Sequence, residues 1–209
     1  MPGIRTALLA APVTLVSLVG LAPAAVPAQA AAHPHSTTPL TCRGQGVDPD
    51  ARVRYRTETL IHASPRTVWK TQTDIARWPS WQPAVTSAER LDDGPFRTGS
   101  AFHWTMPVPP TPRTPATRLD ITSTVQQLRT GSCIRWTGPA DGEGLHIDGV
   151  HVWTFTAVRG GVLVRTEETH TGPQVDADVP AATELLRQGL EAWLRDLKAV
   201  SEAPSAARG

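Results

Sequence analysis

The sequence predicts an α+β fold in which an antiparallel sheet is covered by one long C-terminal helix. Two observations support this prediction. Segments in which apolar and polar residues alternate follow one another, separated by short turns rich in Gly, Asp and Pro, as in an antiparallel meander. At the end of the chain the period changes, and the apolar residues of 180–200 fall on one face of a helix. Such a helix can bury its apolar stripe only by lying across the sheet.

The first thirty residues have the pattern of a secretory signal peptide. Arg5 supplies a positive start, residues 8–21 an apolar core, and the Ala-Gln-Ala of 28–30 a cleavage site with small residues. The apolar core is short for a membrane span, and neither a twin arginine nor a nearby cysteine indicates another export route. We therefore expect an exported protein without a membrane span once residues 1–30 are removed. The alternative is an uncleaved N-terminal anchor.

Charge and composition indicate how the rest of the chain is organised and which partners it excludes. Removing residues 1–30 takes away one cation and no acid, which leaves 19 Lys and Arg against 19 Asp and Glu. Because nucleic-acid binders normally carry a basic excess or a basic stripe, we expect no nucleic-acid partner. Residues 31–50, rich in Ala, Pro, His and Thr, predict a flexible tail. Residues 51–203 predict one domain, and residues 204–209 a disordered C-terminus.

Cys42 and Cys133 are the only cysteines in the sequence. Export to an oxidising compartment favours a disulfide between them, which would join the tail to the domain. Closing a loop of that length would contribute about 4 to 5 kcal/mol in the chain-entropy treatment. The alternative is two unpaired thiols.

The elements follow in order from local signals. Residues 52–61 alternate as a first strand, and Ser64 and Pro65 suit the N-cap and first position of a short helix that ends near Asp74. Two prolines in 78–83 exclude a regular helix there, and the two tryptophans of this segment must pack against something. Five or six further strand candidates lie at 85–91, 100–106, 117–128, 133–136, 146–158 and 162–171.

Five loose motifs occur in an order typical of one superfamily. They are A-S-P-x-x-V-W at 63–69, D-I-x-x-W-P-x-W-x-P at 74–83, G-x-x-F-x-W at 99–104, H-x-W-x-F at 151–155 and L-x-x-W-L-x-x-L-K at 190–198. The chain resembles the SRPBCC or START-like superfamily, in its polyketide cyclase/dehydrase-like branch. The resemblance implies a helix-grip fold, in which a curved antiparallel sheet of about six or seven strands wraps around the C-terminal helix and encloses an apolar cavity. Two departures are that family members commonly have Asn where Gln82 stands, and that most are cytoplasmic.

Two strands hold candidate acid/base residues. If Val164 faces inward then Glu168 does as well, and a buried carboxylate there would suit proton transfer. The opposite parity, or a Glu168 in water at the cavity mouth, is the alternative, and the resemblance favours Glu168 inside. His151 lies on an apolar and aromatic face of the preceding strand, where a histidine is more often a packed core residue than a catalyst.

Tryptophans on the inward faces predict an aromatic wall for an apolar cavity. The alternative is plain core packing. The expected ligand-binding residues are Trp78, Trp81, Phe102, Trp104, Ser123, Trp136, His151, Trp153, Glu168, Leu186, Leu190 and Trp193. No Cys/His spacing fits a metal site and no glycine-rich nucleotide loop occurs, so we expect neither a metal nor a cofactor.

We therefore expect an exported protein that binds an apolar small molecule, either lipid-like, acyl or aromatic, in an internal cavity. The alternative is an enzyme of the polyketide cyclase/dehydratase type, in which Glu168 and His151 are catalytic residues that move protons. Export disfavours that enzyme, since polyketide tailoring usually needs carrier-bound substrate inside the cell. A third possibility, partner binding through the proline-rich segment 107–115, rests on that segment alone.

Overall fold

The computed structural model describes residues 38–111 and 114–204. The predicted signal peptide, the first part of the predicted tail and residues 205–209 lie outside this description. The strands are β1 Val53–Ile61, β2 Ser87–Arg90, β3 Ala101–Val108, β4 Thr117–Arg129, β5 Cys133–Gly142, β6 Leu145–Val158 and β7 Gly161–Thr171. The helices are α1 Pro65–Thr73, α2 Pro173–Asp176 and α3 Val179–Glu202, with a 3₁₀ segment at Ile75–Ser80.

All seven strands form one antiparallel sheet in the order β1-β7-β6-β5-β4-β3-β2. The sheet is curved and does not close, and α3 lies against its inner face. A bulge in β4 between Val125 and Gln127 adds to the bending, because an extra residue on one strand kinks it. The helix-grip fold expected from the sequence is confirmed.

The first helix begins where the sequence predicts. The Ser64 hydroxyl accepts a hydrogen bond of 3.1 Å from the Thr67 amide, and Pro65 occupies the first turn. The segment after α1 contains Pro79 inside a 3₁₀ segment. Prolines exclude an α-helix there but permit 3₁₀ turns whose hydrogen bonds are donated by other residues, here Arg77 and Trp81.

Strand β5 is longer than the predicted 133–136. The prediction stopped at Gly138 and Pro139, both of which normally weaken a strand. In the structure the pairing of β5 with β4 is interrupted at these two positions, so the missing proline amide is not needed. Gly138 also lies against Ser123, where an added Cβ would be 2.8 Å from the hydroxyl oxygen. A larger residue at this position would push the two strands apart.

The C-terminal helix matches its prediction closely and divides the core along its length. Asp178 caps α3, and the buried residues on its inner stripe are Leu186, Leu190, Leu194, Leu197 and Ser201. The C-terminal half of the stripe packs in a solid aromatic cluster with residues from α1, the 3₁₀ segment and the sheet. The N-terminal half belongs to a second cluster that borders a cavity. The single turn α2 was not predicted, since four residues show no periodicity.

The first described residues pack on the outer face of the sheet, whereas the sequence predicted a flexible tail as far as residue 50. The predicted disulfide between Cys42 and Cys133 is present. The Leu40 amide also donates a 2.7 Å hydrogen bond to Glu167, whose side chain is buried on the outer face. The apolar residues of this outer layer are Leu40, Cys42, Val47, Val150, Val152 and Cys133. Two aliphatic residues in a segment rich in Thr and Gly were too few to signal a packed layer.

Within the part of the chain that the structure describes, no helix is long and apolar enough to cross a membrane.

Candidate ligand-binding cavity

A cavity of about 290 Å³ lies between the N-terminal half of α3 and the inner face of strands β3 to β7. This volume is near the lower end of the range for small-molecule sites. Its wall is mostly apolar because inward-facing side chains of β3, β4 and β6, such as Met106, Ile121 and Ile147, meet the helix there. The polar residues of the wall are Gln82, Thr111, Thr114, His151, Glu168, His170, Gln174 and Asp178.

Glu168 lies between two histidines in this wall. Nδ1 of His151 is 3.4 Å from Oε2 of Glu168, and Nε2 of His170 is 3.4 Å from Oε1. His151 and Glu168 are register partners on β6 and β7, and His170 follows on the same face of β7. The side chains are exposed by only 9% for His151, 18% for Glu168 and 21% for His170. The three groups are therefore largely withdrawn from bulk water.

His151 is held in one orientation and one tautomer. Its Nε2 is 2.6 Å from the Thr166 hydroxyl, and its ring lies between Trp136 and Trp153 at centroid distances of 5.1 and 4.9 Å. Because Nδ1 faces a carboxylate, Nδ1 carries the proton and Nε2 accepts the hydrogen bond from Thr166. A neutral imidazole thus points an N–H at Glu168.

Burial and charge set the ionisation of this group. Burial among aromatic rings lowers the pKa of His151 to about 4, although the neighbouring Glu168 opposes the shift. Burial acts to raise the pKa of Glu168, but attraction to the imidazoles and a hydrogen bond from His170 outweigh it and leave that pKa below its ordinary value. At neutral pH the cavity therefore holds a neutral His151 beside an ionised Glu168.

Gln82 contributes a second polar feature. Its side chain is only 2% exposed, and its Oε1 accepts a 3.2 Å hydrogen bond from the Ala84 amide. Its Nε2 has no hydrogen-bond partner among residues 38–111 and 114–204. Because an unpaired buried donor is costly, this amide is a source of local destabilisation beside the cavity.

The structure brings seven of the twelve expected binding residues to the cavity wall. They are Trp104, Trp136, His151, Glu168, Leu186, Leu190 and Trp193. Three of these are tryptophans at the boundary between the solid and the hollow half of the core. The wall is consequently aromatic at one end and aliphatic at the other.

The other five expected residues, Trp78, Trp81, Phe102, Ser123 and Trp153, do not line the cavity. Trp78 fills the solid half, since its ring packs edge-on against Phe102 at 5.4 Å and Trp193 at 4.9 Å. Its Nε1 donates to the Gln72 carbonyl oxygen at 3.0 Å, so its polar atom is satisfied internally. Ser123 accepts a 3.1 Å hydrogen bond from Nε1 of Trp104. The sequence placed all five among the expected binding residues because a sequence pattern cannot distinguish filled space from empty space.

Several wall residues were missed by the sequence reasoning. Ile121 and Ile147 fall on the inward faces of predicted strands, and Gly189 on the predicted helix stripe, so a parity argument could have found them. His170 shares the face of Glu168 but was not named as a binding residue. No sequence signal marks the unpaired amide of Gln82. Across the described chain, no group of three or more His, Cys, Asp or Glu residues could hold a metal ion.

Comparisons with known proteins agree with this fold. Residues 52–202 match the profile of a family described as polyketide cyclase/dehydrase and lipid transport. A search of curated proteins finds no match. A solved structure from Thermus thermophilus is similar with 18% identity and a TM-score of 0.57, over 73% of this chain and 99% of that chain. One from Chromobacterium violaceum has 16% identity and a TM-score of 0.55, over 73% and 99%. A START superfamily protein from Mycobacterium smegmatis has 13% identity and a TM-score of 0.53, over 71% and 97%. At these identities the likeness shows the fold alone.

Proposed function

The chain belongs to the polyketide cyclase/dehydrase and lipid transport family, and from this premise we propose that it binds an apolar small molecule in the cavity beneath α3. The observation that carries the proposal is the cavity itself, about 290 Å³ with a largely apolar wall. A ligand there would lose apolar surface to the wall at about 25 cal/mol for each Å² removed from water. Its polar end would meet the group formed by His151, Glu168 and His170.

Export is part of the same proposal. The N-terminal pattern of residues 1–30 supports it, and the disulfide between Cys42 and Cys133 is compatible with an oxidising compartment. The protein would then carry or capture its ligand outside the cytoplasm, where no carrier-bound intermediate is at hand.

Gly189 offers a direct test of the cavity. It lines the wall, and a Cβ added there meets no atom within 4 Å, so Gly189→Leu should start a side chain in open space and reduce the volume of the cavity. Leucine is also the better helix former, so the variant should melt at the same or a higher temperature. We expect the affinity for the neutral apolar dye Nile red to fall by about tenfold or more, whereas Ala199→Leu on an exposed position of α3 should leave it unchanged. Equal Nile red binding by Gly189→Leu and the wild type would contradict the proposal.

A second candidate function is acid/base catalysis on a polyketide-like substrate. The observation that favours it is a neutral His151 N–H aimed at an ionised Glu168 inside an apolar cavity. Under this hypothesis Glu168→Gln, which keeps shape but removes the ionisable group, should lower turnover by about 10²- to 10⁴-fold at nearly unchanged affinity. Product analysis with any co-purified ligand checks this. Binding without turnover in either protein would leave the binding function standing.

A further inference from the structure

If the cavity binds an apolar molecule, as proposed above, we infer that the polar end of that molecule is a protonated amine. The wall residues include two carboxylates, Glu168 and Asp178, and neither Lys nor Arg occurs among the described residues that line the cavity. The charge that the described part of the wall presents to a ligand is therefore negative. A fatty acid or another anionic lipid would meet charges of its own sign.

Two arginines on elements that pack beside the cavity, one on β1 and one on α3, are engaged with other carboxylates. Arg54 donates to Glu167 on the outer face of the sheet, at 2.6 Å from Nε. Arg187 pairs with Glu184 and Glu191 along α3. Neither guanidinium lines the cavity, so neither supplies a counter-charge there.

The imidazole of His151 does not supply a permanent cation. His151 is buried between two indoles and stays neutral, since its pKa lies far below its ordinary value. Glu168 is ionised at neutral pH, because its own pKa lies below the ordinary value. A carboxylate in a mostly apolar cavity is poorly solvated, and its interaction with a cation is strengthened there. An ammonium group satisfies that carboxylate better than a hydroxyl group does.

Aromatic rings in the wall also favour a protonated amine. Trp104, Trp136 and Trp193 contribute to the wall, and Trp136 packs against His151 beside the carboxylate. The negative faces of indole rings attract organic cations. A carboxylate flanked by indoles is therefore suited to an amine that carries a ring or an alkyl chain.

Three probes with the same alkyl tail test whether the cavity prefers a cation, a neutral group or an anion: decylamine, decanol and decanoate. Binding to the full mature chain is measured by tryptophan fluorescence at pH 8, where an ordinary imidazole is neutral and an alkylamine is protonated. We expect decylamine to bind about tenfold more tightly than decanol, and decanoate to bind most weakly. Decanoate binding as tightly as decylamine, or decanol binding as tightly as decylamine, overturns the inference.

The Glu168→Gln variant tests whether the Glu168 carboxylate causes the preference for decylamine over decanol. We expect it to bring the affinities for decylamine and decanol within about threefold of each other while decanol still binds. The matched control is Glu58→Gln, which removes one negative charge from the outer face of β1 and should leave the preference intact. A preference that survives Glu168→Gln overturns the inference. Failure of all three probes to bind the wild type would instead count against the proposed function itself.

Discussion

Glu167 and Glu168 are neighbours in the sequence but have opposite surroundings. Glu168 faces the cavity, whereas Glu167 faces the N-terminal layer, where it accepts hydrogen bonds from the Leu40 amide and Arg54. Both faces of β7 are therefore buried, and a strand buried on both faces shows no clear alternation. For this reason the residues alone left the parity of Glu168 open.

Burial of a neutral His151 predicts acid sensitivity. Between its ordinary pKa of 6.5 and its value of about 4 in the folded chain, the unfolded state binds more protons than the folded state. The free energy of unfolding should thus fall as the pH drops through this window, and His151 accounts for about 3 kcal/mol of the decrease. The lowered pKa of Glu168 also makes the folded chain less stable as the pH falls. The measurement is urea unfolding at several pH values between 7 and 4.

His151→Phe should flatten this pH dependence, because phenylalanine fills the aromatic site without titrating. His146→Gln is the control: hydrogen bonding to Asp141 raises the pKa of His146, so its contribution is present at low pH and is lost as the pH rises. If the stability of His151→Phe falls with decreasing pH as steeply as that of the wild type, His151 is not the source of the acid sensitivity.

Among the elements, the outer N-terminal layer departs most from its prediction, and the disulfide joins this layer covalently to the sheet. Cys42 is fully buried and bridges a sequence separation of 91 residues to Cys133 at the start of β5. A composition rich in Thr and Gly cannot reveal such a layer, because the contacts that hold it come from strands far along the chain.

Removing the bridge should destabilise the domain without abolishing its fold. Replacing both cysteines by serine should lower the free energy of unfolding by about 4 kcal/mol, since the unfolded chain regains the freedom of the opened loop. Urea unfolding of the double variant, and of the wild type with and without reductant, checks this value. A wild type whose unfolding midpoint does not respond to reductant would contradict it.

The two halves of α3 should also respond differently to truncation. Leu197 is fully buried in the solid cluster, whereas Leu190 lines the cavity and already has empty space beside it. Leu197→Ala should therefore lower the free energy of unfolding by about 3 to 4 kcal/mol. The decrease caused by Leu190→Ala should be smaller than this by about 1 to 2 kcal/mol. Equal losses in chemical denaturation would indicate that the helix packs equally tightly along its whole length.

At the scale of the molecule, the order of elements was predictable and the location of the cavity was not. Turn residues and alternating segments indicated the strands in order, and the change of period after residue 180 indicated the helix. The cavity exists because the large rings of Trp78, Phe102 and Trp153 fill one half of the core while aliphatic residues line the other. Which half stays empty depends on side-chain volumes in three dimensions, and a pattern of inward positions does not contain that information.

The central claim is that the hollow half of the core holds an apolar ligand. Its most direct test is methyl NMR of the labelled protein during titration with decanol. We predict shift changes at the methyl groups of Ile121, Ile147 and Leu186, which line the cavity, and little change at Ile134 and Leu197 in the solid cluster. Shifts confined to the solid cluster or to Leu40 and Val152 on the outer face, or no shifts at any concentration, would contradict the claim.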